Sequence, residues 1–279
     1  MLSLHTNNAA LSAQNSVNRT QSNLSTSMTR LSTGYRINSA MDDAAGLQIA
    51  TRLKAQSSGM AVAMRNTQNS TSMLQTAEGA LGEVTNILVR MKDLATQAAD
   101  ASSTTADQTA MQSEYTALNA EIANILDNTT FGGAKLLRAG AATGTLEGAM
   151  NFQIGATTAE KMTVTLTAEM GTLNTDVGAV NTATLTAGAN AAIDVVATAI
   201  ASVGAVSSAI GAAANRLEHV HNNLSNISTN TQAATGRIMD VDFASESANM
   251  TSSQMLLQAG TAMLKQSNSM SSMVMSLLQ

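Results

Sequence analysis

Leu74, Ala77, Leu81, Val84, Leu88, Met91, Ala95 and Ala98 follow one another in alternating steps of three and four without a fault. On an α-helix this spacing gathers all eight on one stripe, whereas a strand would scatter them over both faces, so the segment reads as a helix that seeks partner helices. Carried back through Met60, Met64, Thr67 and Thr71, the stripe predicts one helix of about forty residues, about 60 Å long at 1.5 Å per residue. Such helices tolerate no breakers. Average usage near 5 % would place roughly 14 prolines in a chain of this length, and its 279 residues contain none.

The same rhythm returns twice. Met111, Tyr115, Leu118, Ile122 and Ile125 form a shorter series after the polar stretch 100–108, which reads as a helix-to-helix turn. Leu217, Val220, Leu224, Ile227, Thr231, Ala234, Ile238 and Val241 form a third, preceded by Ile193, Val196, Ile200, Val203 and Ile210 with a slip of one residue near Leu217. These pieces predict a mainly α fold: a long antiparallel helical bundle or coiled coil. The middle differs. Phe131-Gly132-Gly133 breaks the helical period, and Met162, Val164 and Leu166 alternate with threonines at the period of two of a half-buried strand, with residues 151–154 as its hairpin partner. Residues 139–190 are otherwise rich in Ala, Thr and Gly, and are expected to form an exposed tip or loop.

Composition excludes several functions. Charged residues make up 12 %, about half the usual share of roughly 25 %, yet 44 % of the chain is hydrophobic, which argues against whole-chain disorder. A net charge of -5 disfavours nucleic acid as a partner, and the absence of eighteen consecutive apolar residues disfavours a membrane span. The amino terminus lacks the basic and apolar pattern of a secretory signal. With no Cys there is neither a disulfide frame nor a thiolate site. His219 and His221, at i and i+2, point to different helix faces and suit packing or solvent better than a shared metal. Asp42 and Asp43 precede a helical run and suit its positive end better than acid–base chemistry. The Asp240-Val241-Asp242 pair has no phosphate-binding loop beside it. No catalytic, metal-binding or cofactor-binding set is therefore expected.

Both ends are almost free of charge. No acidic residue precedes Asp42, and after Glu246 only Lys265 is charged. Leu4, Leu11, Leu24 and Leu31, with Met28, mark one apolar stripe; Phe243, Met250, Leu257 and Leu264, flanked by Leu256, Met263 and Met270, mark the other. Methionine serves as filler in ordinary cores, but a monomer dresses its solvent faces with Lys and Glu, so these ends read as surfaces that meet other protein.

The run RLSTGYRINSAMDDAAG at residues 30–46 closely resembles the amino-terminal signature of bacterial flagellins. TAEGAL at 76–81, residues 90–98, FGGAKLL at 131–137, GRIMDVDFA at 236–244 and residues 254–278 around QAGT resemble further blocks of that family, in order. The resemblance implies a short flagellin without large outer domains. Residues 1–43 with 240–279 would form the inner-core terminal coiled coil, 44–138 with 191–239 the middle bundle, and 139–190 a β-hairpin and exposed tip. It implies an extracellular subunit of the flagellar filament, exported without a cleaved signal peptide and polymerising with itself into a helical tube for motility. Its other partners would be an export chaperone at the carboxy-terminal helices, the filament cap and junction proteins, and the host flagellin-sensing Toll-like receptor. For that receptor Arg90, Leu94 and Glu114 match the family's contact set, with Leu94 expected at the bundle edge beside buried Ala95. Val89 departs from the Gln frequent in enteric relatives, and Ser271 and Ser272 stand where relatives often have a proline-containing turn. The alternative within the same architecture is a hook–filament junction protein, present in few copies.

Overall fold

The computed structural model describes residues 7–139 and 142–277. Among the described residues there are six α-helices: α1 (Asn8–Thr33), α2 (Ala44–Ala98), α3 (Thr105–Asn128), α4 (Thr167–Thr182), α5 (Leu185–Met239) and α6 (Phe243–Leu277). Between α3 and α4 lie three two-stranded antiparallel ladders: β1 (Thr130–Phe131) with β2 (Ala134–Lys135), β3 (Arg138–Ala139) with β4 (Ala142–Thr143), and β5 (Ala149–Gln153) with β6 (Lys161–Thr165). The chain divides into two compact units, Ser58–Ser228 and the pair of terminal segments, up to Ser57 and from Thr229.

In the unit Ser58–Ser228, the eight-residue stripe of α2 is buried throughout. Its partner on α5 is Ala192, Val196, Ala199, Val203, Val206, Ile210, Ala213 and Leu217, also buried and also in steps of three and four. Ile193 and Ile200 flank this seam and are only partly buried. Further on the stripe drifts by one position: Ile227 is 38 % exposed while Ser228 is 7 % exposed. A straight helix turns 3.6 residues per turn and falls behind a strict seven-residue repeat by about 20° each heptad, which moves the buried line from Ile227 to its neighbour. On α3 the same drift brings Asn119 and Leu126 inward, leaving Leu118 and Ile125 partly buried. Thr104 caps α3 with a reciprocal box: its hydroxyl accepts from the Asp107 amide at 3.3 Å and its own amide donates to the Asp107 carboxylate at 3.0 Å.

α5 reaches a mean hydropathy of 1.8 over an eighteen-residue window, enough by length and composition to cross a bilayer. Its apolarity comes from scattered Ala, Val and Ile interrupted by Asp194, Thr198 and Ser202, and its largest side chains are spent on the bundle core.

The expectation of a tip poor in packed structure over 139–190 needs correction at its carboxy-terminal end. Met170, Leu173, Val177 and Val180, in steps of three, four and three, bury one face of α4. Tyr115 Oη donates to the Val180 carbonyl at 3.4 Å, and Asn119 Nδ2 to Asn181 Oδ1 at 2.6 Å, tying α4 to α3. Burial pushes the Tyr115 phenol up to about 12. Thr, Gly and Asn between the four anchors dilute the helical period and hide it from composition. The β5–β6 hairpin forms as expected, pairing Met150 with Val164 and Phe152 with Met162, with Met162 and Val164 facing inward. Gly132 and Gly133 join β1 to β2 with φ of 59° and 86°, the two left-handed residues of a tight hairpin turn.

In the terminal unit, α1 ends at Gly34, whose φ of 77° lets its amide return to the Arg30 carbonyl at 2.9 Å. The following loop is pinned by Asp42, whose carboxylate accepts from the Asn38 and Ser39 amides at 3.0 and 2.9 Å. These bonds hold the Asp42 carboxyl below its ordinary value of 3.8, the Ser39 amide contributing most. Asp43 performs the expected service at the start of α2, accepting from the Gly46 amide at 2.8 Å. The loop is stitched to the α5–α6 junction by Arg36 N to Met239 O at 2.6 Å and Val241 N to Gly34 O at 3.0 Å.

Candidate functional site

α1 and α6 lie antiparallel and meet along one seam. Near its open end Asn7 Nδ2 donates to the Ser267 carbonyl at 3.1 Å. Midway, Gly260 faces Val17 so closely that a Cβ there would stand 2.7 Å from Val17 Cγ2. At the closed end the Arg30 guanidinium sits 3.9 Å from both Glu246 and Asp42. Asp242 caps α6, accepting from the Ala244 amide at 3.0 Å and the Ser245 hydroxyl at 2.9 Å, and its carboxyl lies below its ordinary value chiefly through Ser245. The helix continues through Ser271 and Ser272 to Leu277, so serine there does not interrupt it.

The expected self-contact residues separate into two groups. Leu24, Leu31, Met250, Leu257 and Leu264 are partly buried, and Leu11 and Phe243 are exposed. Leu4 lies outside the described residues. A line of open apolar surface is carried by the residues that flank the α6 stripe. Leu256, Met263 and Met270, seven apart, are 59 %, 67 % and 53 % exposed, with exposed Met255 beside them. An apolar line at a seven-residue repeat is the signature of a helix seam, and among the described residues no helix covers this one. With no side chain longer than alanine at Ala259 and Gly260, α6 can serve the α1 seam and present this line at once. The signal was present in the sequence; only burial shows which of two neighbouring stripes is occupied.

On α2 and α3, Arg90 Nε and Nη2 both donate to Glu114 Oε1, at 2.9 and 2.7 Å, with the two side chains 55 % and 45 % exposed. Val89 beside them is exposed. Leu94 is not at the edge: it is 2 % exposed and part of the core. The α2 stripe is wide enough to bury Leu94 and Ala95 together, because α3 closes over that side of the helix. His219 is exposed, while His221 Nδ1 lies 3.3 Å from the Thr67 hydroxyl, which itself donates to the Met64 carbonyl at 2.8 Å. The contact joins α2 and α5 side by side, a packing role. Among the described residues no three His, Asp or Glu side chains converge as a metal site would require.

Known proteins share this arrangement. Residues 4–142 match the bacterial flagellin N-terminal helical region and residues 193–278 the bacterial flagellin C-terminal helical region. Flagellin A of Vibrio anguillarum is 33 % identical, with 100 % of each chain covered over 383 aligned positions, so that relative carries segments without a counterpart here. A flagellin of Halalkalibacterium halodurans is 38 % identical over 90 % of each chain. A solved Vibrio parahaemolyticus structure assigned to a flagellar hook-associated protein covers 71 % of this chain and 100 % of its own at a TM-score of 0.57 and 18 % identity, a likeness of fold alone. Helical regions matched at both ends, and a relative aligned over its whole length, lead to one conclusion: this chain belongs to the bacterial flagellin family.

Proposed function

We propose that this flagellin, a structural subunit of the flagellar filament, polymerises through the open face of α6. The observation that carries this reading is the exposed line Leu256, Met263 and Met270 on a helix whose other seam already holds α1. These side chains are only about half to two-thirds exposed, so burying the rest of all three is worth on the order of 3–5 kcal/mol at about 1.5–3 kcal/mol for a full side chain, at the low end of the roughly 4–15 kcal/mol cost of association. One contact is therefore marginal, and a subunit gains a place only where several neighbours meet it. That makes growth cooperative and dependent on a seed. Because a heterologous contact does not close on itself, repetition generates an open helical tube. An export chaperone that covers α6 before assembly, and cap and junction proteins that pair with the same terminal helices, fit the same surface.

Removal of residues 1–40 or 245–279 is expected to abolish seeded sedimentation while circular dichroism still reports the folded helices of Ser58–Ser228. Filaments growing from either truncation would refute the reading. Growth that stops after a few added copies of the full chain would favour the hook–filament junction alternative.

The exposed Arg90–Glu114 pair, with Val89 beside it, suits recognition by the host flagellin-sensing Toll-like receptor. In this reading Leu94 supports the surface from below and makes no direct contact.

A further inference from the structure

We propose that the thioethers of Met255, Met263 and Met270 on α6 are sites of oxidation, and that peroxide-class oxidants block polymerisation by converting them to sulfoxides. The inference rests on the α6 assembly face described above. Its starting point is the composition: 18 Met, no Cys and no Trp leave thioethers as the most readily oxidised groups in the chain. The structure sorts them. Met91 and Met170 are fully buried, whereas Met41, at 96 % exposure, Met28 and, on α6, Met255, Met263 and Met270 are open to solvent.

The chemistry needs only access. A sulfur lone pair attacks one oxygen of hydrogen peroxide and the O–O bond breaks. The oxygen stays on sulfur, and its proton passes to the departing hydroxide, which leaves as water. Sulfur is oxidised by two electrons and the peroxide is reduced to water. The product replaces an apolar, flexible side chain by a polar one, on a face whose association depends on apolar burial with little margin. Met41, on the loop between α1 and α2, reacts without this consequence because it lies off the α6 line.

Full-length monomer is treated with hydrogen peroxide, sulfoxides are mapped by peptide mass spectrometry, and seeded growth is measured. Oxidation at Met255, Met263 and Met270 is expected to run about tenfold or more ahead of Met91 and Met170, with growth falling about tenfold and returning after methionine sulfoxide reductase treatment. Met41→Leu should remain as sensitive to peroxide as the parent. The triple variant Met255→Leu/Met263→Leu/Met270→Leu, compared with its own untreated sample, should lose its sensitivity. Equal oxidation of core and α6 methionines, or equal sensitivity of the triple variant, would overturn the proposal. Met263→Glu separates the two readings: if it blocks growth while sulfoxides do not, only the oxidation proposal falls; if it grows as the parent does, the assembly reading falls as well.

Discussion

In Ser58–Ser228 the inward leucines Leu74, Leu81 and Leu88 are sealed from solvent, whereas in the α1–α6 hairpin the inward leucines Leu24, Leu257 and Leu264 stay partly open. The helices of both regions are long, proline-free and patterned. What differs is the number of partners. A helix in a bundle of several layers is covered on more than one side, while a helix in a two-helix hairpin has one seam and keeps its remaining faces in water. The polar contacts tell the same story: Arg30 stands 3.9 Å from both of its acidic neighbours, near enough for attraction and too far for hydrogen bonds. The terminal unit leaves apolar side chains open to solvent, and the other unit seals its own.

This contrast can be broken most forcefully by truncating one leucine in each region. Leu88→Ala should lower the unfolding free energy of the bundle by about 2–5 kcal/mol, since it opens a cavity in a sealed core. Leu256→Ala should change monomer stability by no more than about 0.5 kcal/mol while weakening filament growth. Denaturant melts beside seeded sedimentation decide it, and comparable losses of stability would erase the distinction. Leu94→Ala belongs with Leu88, so any loss of receptor activation in that variant has to be judged against its altered fold.

The hairpin seam offers a smaller test. Gly260→Ala brings a methyl into Val17 and should cost about 1–3 kcal/mol of hairpin stability through overpacking, seen as fewer seeded filaments. Val17→Ala in the same chain should restore growth, because the obstructing atom is the end of a side chain. Failure of that rescue would mean that the helices do not approach closely there.

Acid probes the aspartates that hold helix caps and the α1–α2 loop. Asp42, Asp107 and Asp242 all titrate below their ordinary 3.8, so the folded state favours their ionised forms. Their stabilisation is present above 3.8 and is lost as the pH falls through the lowered folded values. Helicity followed by circular dichroism should therefore decline below 3.8, and Asp242→Asn, which keeps a good capping residue without the charge, should show a shallower decline. An unchanged titration would assign the acid sensitivity to other carboxylates.

A small effect on stability is also expected at Arg90. Arg90→Ala breaks an exposed ion pair worth at most about 1 kcal/mol, yet as a central interface arginine it can cost about 2 kcal/mol or more in binding. A reporter-cell dose response with monomer, run beside a melt, separates these quantities. Unchanged potency would leave the Arg90–Glu114 pair as surface decoration.

Much of the fold was legible along the chain. The α2 stripe, the alternation of β6 and the break in the helical period at Phe131-Gly132-Gly133 each follow from the spacing of residues that are close in sequence. The period of α4 is faint in the sequence because Thr, Gly and Asn separate its four anchors, and its helical character matters only once α3 supplies a surface for them. Ser228 is buried in place of the more apolar Ile227 because helix geometry, not hydrophobicity alone, decides the register. Leu94 looked like an edge residue from α2 alone and became core when α3 closed over it.

The sequence by itself determined that the chain would be long unbroken helices with charge-poor ends, since periodicity and the absence of proline act within a few residues. Tertiary structure decided which stripe of each end is used. Asn7 meets Ser267 and Val17 meets Gly260 across more than two hundred residues, and only that pairing commits Leu257 and Leu264 to the hairpin and leaves Leu256, Met263 and Met270 facing outward. Neighbouring positions on a helix differ by about 100°, so one-residue choices of this kind turn an inner seam into an outer surface.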